Sequence, residues 1–427
     1  MAKQESSENN NQLPPPSPQI PTVANLSLIP RPSSPRDLKE SKFKRSKYYY
    51  RDGSAVFLAG NTLFKFQASL IAADPDVQSY EFEHLTKDLI NRLDADIDTP
   101  GSSDANPIVL PPDITAGLFE RFLLVQFGGV TNISMLDLIQ TLETPSCYTT
   151  TLAGRLIRLG YLGCRLGLRT LDTWFQMHIS KILKELADKL PVQDDWDSRS
   201  MVQLMLYMQK TGVLKYRRNI LSAARLTISK AITMAHPGIG KAPQGNMVNA
   251  CAALYKERSL RLHNPGLFGF VFIVILSLGH KSPVWEDQLT REDRRVLYAA
   301  AMIFTCLSNH ADLGISWLLN PTEIKHVCNR CSNNFDSCWN ATFSRLKGLK
   351  SHVQLEDIRC IVGIPFYLSR FLVAFASKST FCDCANKVEA LAMKSTDKLY
   401  QCFAEKYNLL NRLTEGTLAT FGGGYGN

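Results

Sequence analysis

The chain has 427 residues, a length that predicts two or three folded units at roughly 100–200 residues each. Hydrophobic residues make up 45% and aromatic residues 9%, so a wholly disordered chain is excluded and a sizeable core is expected. The net charge of +9 is unevenly spread: residues 1–51 carry +5, residues 52–143 carry −10, and the remainder +14. Such basic segments can meet nucleic acid or an anionic membrane, or they can be solvated or docked onto the acidic block of their own chain. The eleven cysteines are odd in number and scattered, and Met1–Gln12 is polar, without the apolar stretch of a signal peptide. Reduced thiols in an intracellular protein, cytoplasmic or nuclear, are therefore expected. The sequons at Asn25, Asn132 and Asn340 then read as chance matches.

Residues 1–38 are rich in Pro, Ser, Asn and Gln, with PPPSP at Pro14–Pro18, and predict a disordered tail. Residues 39–51, KESKFKRSKYYYR, read as a basic linker whose tyrosines begin the first folded element. The same pattern suits a nuclear-import patch or an RNA-contacting arm. Val56–Ala59 predicts a strand, Gly60-Asn61 a turn, and Leu63, Phe64 and Phe66 a second strand. Gln67–Ala73 looks like the start of a helix that stops before Pro75. An acidic loop, Asp94–Pro107, leads to a third strand at Ile108–Leu110. Thr115 is placed to cap a helix over Ala116–Phe127, whose Leu118, Phe119, Phe122, Leu123 and Phe127 share one face, and Gly128-Gly129 ends it.

From about residue 131 the pattern is helical. Apolar residues recur at helical spacing in Leu152–Leu162, Leu166–Leu190, Met201–Met208, Ile220–Met234, Val248–Leu260, Val296–Leu307 and Val388–Leu413. The longest apolar run, Gly266–Gly279, has 14 residues, short of the roughly 20 that span a bilayer, so it predicts a buried helix or strand and no membrane association. Residues 421–427 form a Gly-rich tail.

The order of motifs over residues 52–129 carries a resemblance. Asp52–Val56 is followed by a turn and by Phe64-Lys65-Phe66-Gln67-Ala68-Ser69-Leu70-Ile71. Ile108-Val109-Leu110-Pro111, Asp113-Ile114-Thr115, Phe119, Phe122-Leu123 and Phe127-Gly128-Gly129 come after the acidic loop. Leu156, Leu159-Gly160, Gly163-Cys164-Arg165-Leu166 and Leu171 continue the pattern. This resembles the BTB/POZ domain in its divergent fungal form. Gln67 stands where that family commonly has His, and Phe127 where Tyr is usual. The resemblance implies an α+β fold: a BTB/POZ-like module over 52–190, with a small mixed sheet capped by helices, followed by a mainly α-helical region over 191–420. It also implies a protein-binding, often dimeric module without catalytic residues.

The one constellation with metal-ligand spacing is Cys328-x-x-Cys331 with Cys382-x-Cys384. Two thiolates at Cys-x-x-Cys spacing can share one zinc, and Cys382 with Cys384, or Cys338 with His326, can complete four ligands. Reduced small hydrophobes and a redox pair at Cys328/Cys331 are the other readings. Gly238-Ile239-Gly240-Lys241 lacks the first glycine and the hydroxyl of a phosphate loop. No Gly-x-Ser-x-Gly or His-Glu-x-x-His signature occurs, and His178 reads as a packed helical residue. The carboxylates Asp194-Asp195 and those of Asp94–Asp98 read as solvated loop charges. Sequence thus points to a non-catalytic, self-associating adaptor for other proteins. The alternative is a nucleic-acid-binding regulator that uses Lys39–Arg51 and the basic helix around Lys215-Tyr216-Arg217-Arg218, Arg225 and Lys230.

Overall fold

The computed structural model describes residues 43–87, 99–129, 132–189, 196–234, 245–305, 307, 310–313, 315–347, 358–379 and 382–421. The expectations for the 1–38 tail, the Asp94–Asp98 and Asp194-Asp195 carboxylates, Gly238–Lys241 and residues 422–427 lie outside them. Four strands, β1 (Lys44–Tyr49), β2 (Ala55–Ala59), β3 (Thr62–Phe66) and β4 (Ile108–Val109), form a sheet of order β1-β3-β2-β4. β2 and β3 are an antiparallel hairpin in which Phe57 faces Phe64, and Gly60, at φ 56°, supplies the left-handed residue of its tight turn. β1 runs parallel to β3, and β4 parallel to β2. The sheet is therefore mixed.

Two sequence expectations change here. Residues 44–49, read as part of a linker, are a strand: Ser46 and Tyr48 are buried while Arg45 and Lys47 between them are exposed, an alternation that the basic composition disguises. Gln67–Ala73 yields only a 3-10 turn over Ala68–Ile71.

Helix α1 (Ala116–Phe127) lies against the sheet, its first turn closed by Thr115 Oγ1 accepting from the Leu118 N–H at 3.2 Å. Phe119 packs edge-on to Phe64 at 4.9 Å, and Phe57 stacks on Phe66 at 5.1 Å. Asn132 caps α2 (Ile133–Glu143), and Thr149 caps α3 (Thr150–Arg165). Then follow α4 (Arg169–Lys189), α5 (Ser198–Lys210), α6 (Arg217–Met234), α7 (Asn246–Lys256), α8 (Arg258–His263), α9 (Pro265–Leu278), α10 (Arg291–Ile303), α11 (Asn329–Lys347), α12 (Ile358–Val362), α13 (Ile364–Lys378) and α14 (Cys384–Phe421). The sequence reading of Val248–Leu260 as one helix is corrected: Glu257 is extended, and its carboxylate accepts from the Ser259 N–H to start α8 anew.

The 14-residue apolar run is helix α9, with every residue from Leu267 to Leu278 buried. A helix apolar all round needs partners on all sides. α14 supplies the longest of these contacts, with α7, α12 and α6 around it. At Gly269 the helices nearly touch, since a Cβ there would sit 1.8 Å from the Tyr400 carbonyl oxygen. Trp285 donates its indole N–H to the Ile275 carbonyl at 2.9 Å, and Tyr400 its hydroxyl to that of Ile361 at 2.9 Å. Among the described residues no helix is long and apolar enough to cross a membrane.

Lys44–Asn427 is one compact unit whose hydrophobic core runs from Tyr48 to Leu410. The boundary expected near residue 190 lies outside the described residues, and helices from either side of it, α3 with α5 and α4 with α6, pack together. The acidic block is joined to its basic flanks by ion pairs. Arg165, buried at 8% exposure, lies between Glu81 and Asp113, and its guanidinium stacks 4.2 Å over the Phe82 ring. Arg45 pairs with Asp104, Arg169 with Asp76 and Lys210 with Glu81.

Gly269→Ala is expected to destabilise the chain by about 3 kcal/mol, because rigid backbone rather than a flexible side chain blocks the added methyl. A urea titration followed by circular dichroism reads this as a lower midpoint. An unchanged midpoint would show that α9 and α14 are not held this close.

Candidate metal centre and interhelical groove

The four cysteines singled out in the sequence come together, although 51 residues separate Cys331 from Cys382. Cys328 immediately precedes α11, and Cys331 is in that helix's first turn. Cys384 is the first residue of α14, and Cys382 lies in the short link after α13. Three helix ends therefore meet: the N-termini of α11 and α14 and the C-terminus of α13.

All four sulfurs lie within 4.8 Å of one another. Cys331 Sγ and Cys382 Sγ are 3.2 Å apart, too far for a bond of about 2.05 Å. A tetrahedral ion with metal–sulfur distances of about 2.3 Å sets its sulfurs about 3.8 Å apart. The group is thus of a size that can hold one metal ion. Cys338, buried in α11, and exposed His326, the other ligands considered from sequence, are outside it.

The polypeptide around the sulfurs is arranged for negative charge. The N–H groups of Cys331 and Ser332 turn back to the Cys328 carbonyl at 2.9 and 3.1 Å, and the Cys328 N–H donates to Cys384 Sγ at 3.4 Å. Two helix N-termini aim their partial positive charge at the cluster. The Cys331 backbone N–H, with hydrogen bonds from the Cys331 and Cys384 side chains, pushes the Cys328 thiol down from 9.0 to about 7. At Cys384 the Cys328 N–H favours the thiolate, but the hydrogen bond with Cys382, burial and the neighbouring Cys328 outweigh it and push that thiol up. Below the centre, α11 and α13 are riveted by rings: Phe335 meets Phe371 at 5.3 Å, and Trp339 meets Phe371 at 4.9 Å. The Asn334 side chain also donates to the Lys378 carbonyl at 3.2 Å.

A second feature escaped the sequence reading. An open groove of about 880 Å³ runs between α6, α13 and α14, ending at the α8–α9 junction. α13 turns Leu368, Leu372, Val373 and Ala376 toward it, and α14 turns Ala392, Met393 and Thr396. Lys184, Arg217 and Arg218 stand along the α4–α6 side. At depth, Arg225 pairs with Asp397 and lies 5.7 Å over the Tyr400 ring. The signal was present in sequence as the i, i+4, i+5, i+8 apolar spacing of α13, but that spacing equally describes a covered face.

Other polar groups of interest have structural partners. Asp172, 3% exposed, accepts from the hydroxyl of Thr211 at 2.6 Å, from that of Tyr207 and from the Gln176 amide at 3.0 Å. His178 packs 4.5 Å from the Trp174 ring, and burial lowers its pKa. No family model, curated protein or solved structure matches the chain.

In metal-free chain, Cys328 should react with iodoacetamide half-maximally near pH 7, because its thiolate persists two pH units below the ordinary thiol. Cys384 should lag behind it at the same pH. Peptide mass spectrometry across pH 5–10 checks the order, and equal rates at both cysteines would contradict the field described.

Proposed function

We propose that the chain is a non-catalytic interaction adaptor whose carboxy-terminal helices are locked by one structural zinc ion. The convergence of four sulfurs at three helix ends carries this reading. Four thiolates fill a tetrahedral site and leave no position for water or substrate, so such a centre stabilises rather than reacts. An iron with the same four ligands fits the same donor set and is separated from zinc by its colour. A ligand set drawn from segments this far apart forms only in the folded chain, so binding stabilises folding directly.

The adaptor part of the reading rests on the amino-terminal architecture. The β2–β3 hairpin, the short helical turn after it, β4 alongside β2, and the capped α1 follow the order of the BTB/POZ module that residues 52–190 resemble. On this reading the module holds protein partners, including a second copy of the chain. The nucleic-acid alternative loses support at its proposed arm, where Arg45 is paired with Asp104 and the Tyr49 hydroxyl donates to the same carboxylate.

The purified full chain should carry about one zinc per polypeptide by elemental analysis. Cys331→Ser with Cys382→Ser should remove it and lower the Tm by about 10 °C, a loss of several kcal/mol at roughly 2–4 °C per kcal/mol in a large domain. Metal-free wild-type protein with an unchanged Tm would overturn the zinc assignment. Light scattering on the full chain should give a dimer mass, and a monomer at all concentrations would count against BTB/POZ-type association.

A further inference from the structure

We propose that the groove between α6, α13 and α14 is the docking site for an acidic amphipathic helix of a partner protein. The inference rests on the adaptor reading and names the kind of partner it would hold.

The shape comes first. From Pro365 to Ala376, α13 presents one stripe to the groove, and from Glu389 to Gln401, α14 presents another. At 1.5 Å per residue these stripes run about 16–18 Å, three turns of helix. Their floor is apolar and partly small, with Ala376 and Ala392 leaving room between Leu372 and Met393. Val373 is 63% exposed there, and Leu221, Leu226, Leu372 and Met393 are only half-buried. Apolar side chains aligned along a groove of helical length are what an amphipathic helix covers with its i, i+3, i+4, i+7 face.

Charge selects the partner. The cations Lys184, Arg217 and Arg218 stand on one side, with Lys184 and Arg218 exposed and Arg217 half-buried. On the opposite side, Asp397 is engaged by Arg225, leaving Glu389 exposed. The free rim is therefore positive along the α4–α6 side, complementary to acidic residues on one flank of a docked helix. This is the basic Arg217-Arg218 motif that also suggested nucleic acid. A phosphate backbone would gain nothing from the apolar floor and would meet Glu389 across it, whereas an acidic amphipathic helix uses both features.

The test uses the full chain and a displayed library of 18-residue amphipathic helices with randomised apolar and flanking positions. Selection should enrich acidic helices whose affinity falls about tenfold with R217E/R218E, and to a similar extent with Val373→Glu. Lysine-substituted versions of the selected helices should regain affinity for R217E/R218E. Both variants change exposed or half-buried side chains, and their circular dichroism should match wild type.

Failure to enrich any helix sensitive to Val373→Glu overturns the proposal. So does enrichment of basic helices, or a groove-dependent affinity for a labelled 18-base-pair DNA duplex. If Val373→Glu instead dissociates a dimer in light scattering, the occupant is a second copy and the proposal also falls. Retained self-association with no helix captured would sink the groove proposal alone. A monomeric chain that captures no helix would sink the adaptor reading as well.

Discussion

The carboxy-terminal helices α6, α7, α8, α10, α12 and α14 are arranged around the burial of one helix. α9 is apolar on every side and only 14 residues long, so its removal from water depends entirely on neighbours. α14 supplies the longest of them, and the contact is as close as backbone permits because residue 269 is glycine. Once α14 is laid along α9, its amino terminus has a determined position. Cys384 is that amino terminus, so the four-cysteine cluster inherits its placement from the packing of the core.

Charge connects the sheet to the helices. The acidic stretch between residues 52 and 143 looks in sequence like a surface in search of a basic partner. Much of that partner is the chain itself: Arg45, Arg165, Arg169 and Lys210 each reach an acid of the block. Arg165 matters most, because it is buried and shared by two carboxylates. Removing one member of such a group leaves uncompensated charge away from water, which costs far more than breaking an exposed pair. The buried Asp172, held by Thr211, Tyr207 and Gln176, performs a related task between α4 and α5. These polar links and the shared core explain why the sheet and the helices form one compact unit.

The four-cysteine cluster and the groove are built from the same helices. α13 is fastened to α11 by Phe335, Trp339 and Phe371, and its carboxy terminus leads into Cys382. Its opposite side lines the groove beside α14. An ion held by Cys328, Cys331, Cys382 and Cys384 would therefore set the angle between two walls of that groove. Stability and recognition would then depend on the same few helix ends.

Short-range chemistry made a good part of this legible in sequence. Thr115 announces α1, the Gly60-Asn61 turn announces the hairpin, and the length of Gly266–Gly279 distinguishes a buried core segment, helix or strand, from a membrane span. The strand at Lys44–Tyr49 was obscured because its exposed residues are all basic, and the break at Glu257 because the apolar period continues across it. Cys-x-x-Cys and Cys-x-Cys were visible as two pairs, yet nothing local indicates that pairs so far apart share one centre. By itself the sequence determined the β2–β3 hairpin, the capped start of α1 and the helical character of the chain beyond about residue 131, since caps, turns and periodicity act over a few residues. Only the tertiary structure decided that four sulfurs meet and that the stripe on α13 lines an open groove, because both depend on how distant helices exclude water together.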